Sequence, residues 1–160
     1  MNKLTILATG TDFLKRQVRG TGPAIEEILA DAKDEIQIMA YMISKNAVAF
    51  MDIIESKLES GKRTTIVINK LATQDSDVVT RLESWRHRFP THFTLVDFSR
   101  DDKTLHAKVI VTDRSKAVIG SANFTWGGLS GNYEIGVLVE GNKAWELADL
   151  VDDVASSSEH

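Results

Sequence analysis

The stretch LHAKVIVTDRSKAVIGSANF, Leu105 to Phe124, reads as two strands joined by the turn DRSK. Four polar side chains interrupt the apolar run: His106 and Lys108 in the first strand, Ser121 and Asn123 in the second. Lysine offers a point cation, asparagine an amide N–H and serine a hydroxyl, a set that suits a tetrahedral oxyanion such as phosphate. His106 is the one group among the four able to act as nucleophile or proton carrier near neutral pH. A phosphodiester needs both functions, because its oxygens must be neutralised, its phosphorus attacked and its leaving alkoxide protonated.

Strand side chains alternate between faces, so His106, Lys108, Ile110 and Thr112 share one face. Pairing Thr112 with Ala117 across a four-residue loop, or Asp113 with Lys116 across two residues, gives the same register. In that register Lys108 lies opposite Ser121 and His106 opposite Asn123. Directly opposed residues share a face, with Cβ atoms roughly 5 Å apart. The four polar groups are therefore expected to form one patch, which a slip of one residue would destroy.

The elements around this hairpin follow from periodicity. Leu4–Ala8 reads as a strand, and residues 9–22, with three glycines and several charges, as a loop. PAIEEILADAKDE opens on Pro23 with apolar residues at helical spacing. Residues 35–44 form a β-rich run, and residues 47–61 a helix ended by Gly61. TTIVINKL (64–71) is a strand, DVVTRLESWRHRF (77–89) a helix stopped before Pro90, and HFTLVDFS (92–99) a strand. Three strands then follow in a meander, LHAKVIVTD, AVIGSANFT and YEIGVLVEG, before a last helix over 142–156. Alternating helices and strands followed by a meander predict an α/β fold with a mixed β-sheet, parallel first and antiparallel later, flanked by helices.

Composition bounds the partners. The 160 residues suit a single domain over 1–160, and 42% hydrophobic content allows a real core. With no cysteine, there is neither a disulfide framework nor a thiolate metal site. The apolar run near the N-terminus is too short for a signal-peptide core, and no stretch approaches a membrane span. The expectation is a soluble, cytoplasmic protein with no membrane association. The net charge of −4 sits in the C-terminal segment, where from Gly141 onward one lysine faces five acids. Residues 1–140 are thus neutral overall, and a polyanionic substrate is compatible with local basic clusters.

The residues also carry a family resemblance. H-x-K-x-x-x-x-D stands as His106, Lys108 and Asp113, G-S-x-N as Gly120, Ser121 and Asn123, and an acid follows in NYE at Glu134. This resembles the phospholipase D superfamily, named for its HKD motif, and the AYMIS and IVINK strands resemble that fold too. The resemblance implies that His106 attacks phosphorus to form a phosphohistidine while a second motif histidine protonates the leaving group. It implies that Lys108 and Asn123 hold the phosphate with help from Ser121, and that Glu134 hydrogen-bonds the histidine. Asp113 belongs to the same motif set; it lies at the strand end on the opposite face from His106, and is expected to anchor the turn or a neighbouring cation. No metal and no cofactor are implied.

The chain has one such motif where phospholipases proper have two. Chemistry with two histidines then requires two chains, which predicts a homodimer with paired His106 side chains. Small one-motif members of the family are mostly endonucleases, so the implied substrate is nucleic acid, DNA or RNA. The alternatives are a phospholipid head-group hydrolase or transferase and a non-catalytic phosphodiester-binding dimer. Arg114 and Lys116 in the turn and Lys103 just before the motif are candidate phosphate contacts. WRHRF (85–89) reads rather as a solvated helix end, with cations near the C-terminus. Trp126 either stacks on a base or packs inside. His87 and His92 lack a ligand context, so no metal centre is expected.

Overall fold

The computed structural model describes residues 1–158; His160 lies outside them. The strands are β1 (Lys3–Thr9), β2 (Arg19–Gly20), β3 (Glu35–Ala40), β4 (Arg63–Asn69), β5 (Phe93–Phe98), β6 (Val109–Thr112), β7 (Lys116–Gly120) and β8 (Glu134–Glu140). The helices are α1 (Thr11–Leu14), α2 (Thr21–Asp31), α3 (Val48–Glu59), α4 (Ser76–Arg88) and α5 (Asn142–Ser157). All eight strands form one sheet in the order β2-β1-β8-β7-β6-β3-β4-β5. β3, β4 and β5 run parallel, whereas β3–β6, β6–β7, β7–β8 and β8–β1 are antiparallel. The mixed α/β sheet is as expected, and the strand β1 joins the meander rather than the parallel half.

Helices cover both faces, and the period-two pattern says which residues meet them. Ile36, Ile38, Ile66, Ile68, Ile110 and Val118 pack toward α2, α3 and α4, with Phe50 and Trp85. Met39, Val67, Val109, Val111, Ala117 and Val139 turn the other way, onto Ala144, Ala148 and Val151 of α5. β3, EIQIMA, is buried on both sides from Ile36 on, and its one buried polar side chain, Gln37, donates to Asp152 of α5 at 2.6 Å. α4 starts where Asp75 accepts the Asp77 N–H at 3.0 Å, satisfying one of the first turn's free donors.

Several boundaries differ from the periodic reading. The loop over 9–22 contains α1 and β2, and α2 begins at Thr21 with Pro23 in its first turn. β3 stops at Ala40 rather than 44, and β6 starts at Val109 rather than 105. The sheet's hydrogen bonding therefore ends before the motif residues, which sit on its rim.

The hairpin register also differs. Thr112 pairs with Lys116 and Val109 with Ile119, so the turn has three residues, not four or two. Asp113 and Arg114 both take left-handed backbone conformations, with φ of 53° and 51°. Asp tolerates that region better than most residues. The Asp113 carboxylate accepts the backbone N–H groups of Lys33 (2.9 Å), Asp34 (2.8 Å) and Glu35 (3.0 Å). Those three contacts hold the turn against the start of β3 and so set the register.

Candidate active site

One rim of the sheet gathers the C-terminal ends of β3, β4 and β7 with the N-terminal ends of β6 and β8. His106 and Lys108 arrive there on an irregular segment, residues 103–108, leading into β6. Continuing the observed register puts Lys108 opposite Gly120, not Ser121. Three of the four expected patch residues stay together despite this slip, because the β6–β7 ladder ends at Val109 and Ile119, before the motif residues. His106, Lys108 and Ser121 still line one open groove, with Ala107, Ile119 and Gly120.

Lys108 and His106 touch directly. The Lys108 Nζ lies 3.0 Å from His106 Nδ1 and 3.4 Å from Nε2, and donates to the His106 carbonyl oxygen at 2.7 Å. An ammonium only donates, so in this arrangement a ring nitrogen accepts. An imidazole offers one lone pair to it, so the third hydrogen of Lys108 has no acceptor among the described residues. Burial pushes the Lys108 ammonium below the ordinary lysine range, and the charge of Glu134 partly opposes that shift. The side chain is only 8% exposed. A buried cation with a spare donor is what an incoming phosphate oxygen requires.

Tyr41, just beyond β3, completes this cluster. Its ring lies 4.6 Å from that of His106 at a 55° tilt, with the Lys108 Nζ 5.4 Å from its centroid. Asn69, at the end of β4, accepts the Leu105 N–H at 3.1 Å and so fixes the residue before His106. Sequence reasoning missed both residues as site members. The strands AYMIS and IVINK held them, and a polar residue ending an apolar strand was the available signal.

Ser121 is bound into β8. Its Oγ donates to Glu134 Oε2 at 2.9 Å and accepts the Ile135 N–H at 3.2 Å. Glu134 thus binds Ser121 instead of making the expected bond to His106, and acts on Lys108 through its charge. Asn123 bonds neither His106 nor Lys108; its Oδ1 is buried without a partner. Its neighbours Ala122 and Phe124 line a small void together with Lys108. Two glycines make this packing possible. A Cβ on Gly120 would come within 2.6 Å of the Gly136 Cα, and one on Gly128 within 2.1 Å of the Asn123 carbonyl oxygen. The glycine of G-S-x-N is therefore a steric requirement of the β7–β8 pairing.

Other expected contacts lie elsewhere. Asp113 and Arg114 sit at the far end of β6 from His106, with the whole strand, four residues and about 13 Å long, between them and the motif segment. Burial alone would raise the Asp113 carboxyl, but the backbone N–H groups of Lys33, Glu35 and Asp34 hold it below the usual carboxylate range. Arg114 is ion-paired with Glu35, Asp149 and Asp152 and lies over the Trp145 ring. Lys116 faces Glu140 at 3.9 Å. The expectation that Arg114 and Lys116 reach a phosphate at the patch is corrected: the turn is at the wrong end of the hairpin. Lys103 remains beside the motif, exposed on the segment that leads to His106. Arg88 pairs with Glu55 and Glu59, and Arg86 with Glu83, as a solvated helix end does. Trp126 is 61% exposed, which excludes interior packing. Among the described residues, no three His, Cys, Asp or Glu side chains are grouped to hold a metal ion. No helix among them is long and apolar enough to cross a membrane.

Known proteins share this fold. The fold matches that of Nuc from Salmonella typhimurium, a phospholipase D family member, with a TM-score of 0.75 at 19% identity, covering 99% of this chain and 96% of that one. NucT from Helicobacter pylori gives a TM-score of 0.75 at 14% identity, covering 99% and 98%. The phosphatidylserine synthase of Haemophilus influenzae gives 0.70 at 15% identity, covering 99% of this chain but 39% of the synthase. In sequence, the chain is 29% identical to the DISARM protein DrmC of Bacillus paralicheniformis across 98% of its own length, and spans 65% of that relative. The family model described as cardiolipin synthase, PLD-like domain, matches residues 25–156. With that match over most of its length, the chain belongs to the PLD-like domain family, within the phospholipase D superfamily.

Proposed function

We propose that this protein is a metal-independent endonuclease whose active centre is shared by two copies of the chain. The observation that carries the reading is the contact between Lys108 and His106 on the sheet rim: a buried cation with a free donor beside an exposed imidazole. In the proposed reaction a His106 ring nitrogen attacks phosphorus as Lys108 and Asn123 bind the non-bridging oxygens. A P–N bond forms, the P–O bond to the leaving group breaks, and His106 of the second copy gives the alkoxide its proton. Water then attacks the phosphohistidine, the P–N bond breaks, and the second histidine recovers a proton. The sum is hydrolysis of a diester to a monoester and an alcohol.

The second copy has a surface to dock on. α5 covers only part of its side of the sheet. Ile6 and Ile135, both 58% exposed, and Leu4 and Ile119 lie on the bare remainder over β1, β8 and β7. This apolar face runs into the groove that holds His106, so a second copy seated on it brings its own His106 to the same groove. The lipid-directed reading is less well supported. The chain matches Nuc and NucT nearly end to end but corresponds to 39% of the phosphatidylserine synthase.

The test is a gel assay on labelled single-stranded DNA, double-stranded DNA and RNA in excess EDTA, beside His106→Ala. Cleavage by the wild type alone is expected. Activity that disappears in chelator, or persists in His106→Ala, would refute the mechanism.

A further inference from the structure

A cavity of about 200 Å³ opens on the same rim, at the ends of β3 and β4. Tyr41, Ser44, Asn69, Thr73 and Gln74 line it, between the end of β3 and the start of α4. Tyr41 borders this cavity, and its ring also packs against that of His106.

Two polar groups of the lining are unused. The Ser44 Oγ is buried with no hydrogen-bond partner, an uncommon state for a buried hydroxyl. Asn69 is 6% exposed; its Oδ1 accepts from Leu105, while its Nδ2 bonds nothing among the described residues. Gln74 is fully engaged by contrast. Its Nε2 donates to the Tyr41 and Asn69 carbonyls at 3.0 and 2.7 Å, and its Oε1 accepts the Ile43 N–H. Gln74 therefore builds the walls, and Ser44 and Asn69 are left for a guest.

The lining also selects the guest. No cation borders the cavity and Asp75 does, so a phosphate is disfavoured. An acyl chain would leave the Ser44 hydroxyl and the Asn69 amide without partners. A flat, neutral group with an aromatic face and a polar edge satisfies the Tyr41 ring, the hydroxyl and the amide together. We propose that this cavity is a nucleobase subsite for the nucleotide next to the scissile phosphate. The inference rests on the phosphodiesterase reading above. Asn69 ties the two sites together, since the amide that faces the base also holds Leu105, next to His106.

The test uses a tetranucleotide with one native phosphodiester and methylphosphonates elsewhere, and copies with an abasic residue on either side of the native linkage. Removing the base on one side is expected to lower wild-type kcat/KM roughly tenfold or more, the loss of one stacked base. Ser44→Leu fills the cavity from its wall and Thr73→Trp from its exposed rim. In either variant the ratio of intact to abasic should fall within twofold of one. The same ratio is read as Kd, by fluorescence anisotropy, on His106→Ala. Equal wild-type values for intact and both abasic substrates overturn the subsite, as does a tenfold ratio that survives in both folded variants. Absence of wild-type turnover refutes the phosphodiesterase reading, while the Kd ratio still decides the cavity.

Discussion

Asp113, the last letter of the motif, holds a turn at the opposite end of β6 from His106, so its replacement should cost stability and not chemistry. Asp113→Asn keeps the tolerance for a positive φ and one acceptor oxygen, which can retain the Asp34 and Glu35 N–H groups. Its amide then points a donor at the Lys33 N–H, which lost its acceptor. A hydrogen bond to a charged group contributes about 1.5–3 kcal/mol. The Lys33 and Asp34 contacts are exposed, so water replaces part of that. The expected net loss is about 1–2 kcal/mol, or roughly 2–8 °C in Tm for a chain of this size. The carboxyl is held below its unfolded value, so its contribution is present above the unfolded carboxylate range and disappears as pH falls through the folded value. The Tm gap between wild type and Asp113→Asn should therefore be full near pH 7 and close on acidification. Thermal unfolding across pH, with kcat measured below both Tm values, checks this. An unchanged Tm with kcat down by a hundredfold or more would refute the argument and return Asp113 to the reaction.

Two further outcomes follow from the site and the bare sheet face. Lys108 must be charged to bind phosphate, and burial lowers its proton affinity, so the alkaline limb of kcat/KM should fall below the ordinary lysine range near 10.4. Glu134→Gln removes the opposing attraction and should move that limb to still lower pH; a limb that stays put would show that Lys108 does not govern it. The unfolded chain holds this proton more tightly, so Lys108 favours folding increasingly as pH rises through that window. Ile6→Glu puts a charge into the exposed apolar face and should turn a dimer near twice 17.7 kDa into monomer in sedimentation, with activity falling alongside. A wild-type chain that sediments as a fully active monomer would rule out the shared site.

How much of this was legible in the sequence varies by residue. His106, Lys108 and Ser121 were found from type and spacing and do line one groove. The α/β class followed from the alternation of apolar periods. The register did not, because it depends on a turn with two left-handed non-glycine residues held by carboxylate contacts to residues 80, 79 and 78 positions away. No local pattern reports such a distant contact. Arg114 was misjudged for a related reason: a cation in a turn looks free until Glu35, Asp149 and Asp152 are brought around it. Asn69 ends β4 and Tyr41 follows β3, but their proximity to His106 comes from the crossover that sets β6 beside β3. Glu134 was expected on His106 and binds Ser121, a choice made by side-chain geometry at the start of β8.

The central claim is that His106 becomes covalently attached to phosphorus without help from a metal. The most direct measurement mixes the protein with an end-labelled oligonucleotide in excess EDTA, quenches within one turnover and maps labelled protein by mass spectrometry. The account predicts an acid-labile, base-stable adduct on His106, absent from His106→Ala. Cleavage in EDTA with no adduct on His106 at any time point would contradict it.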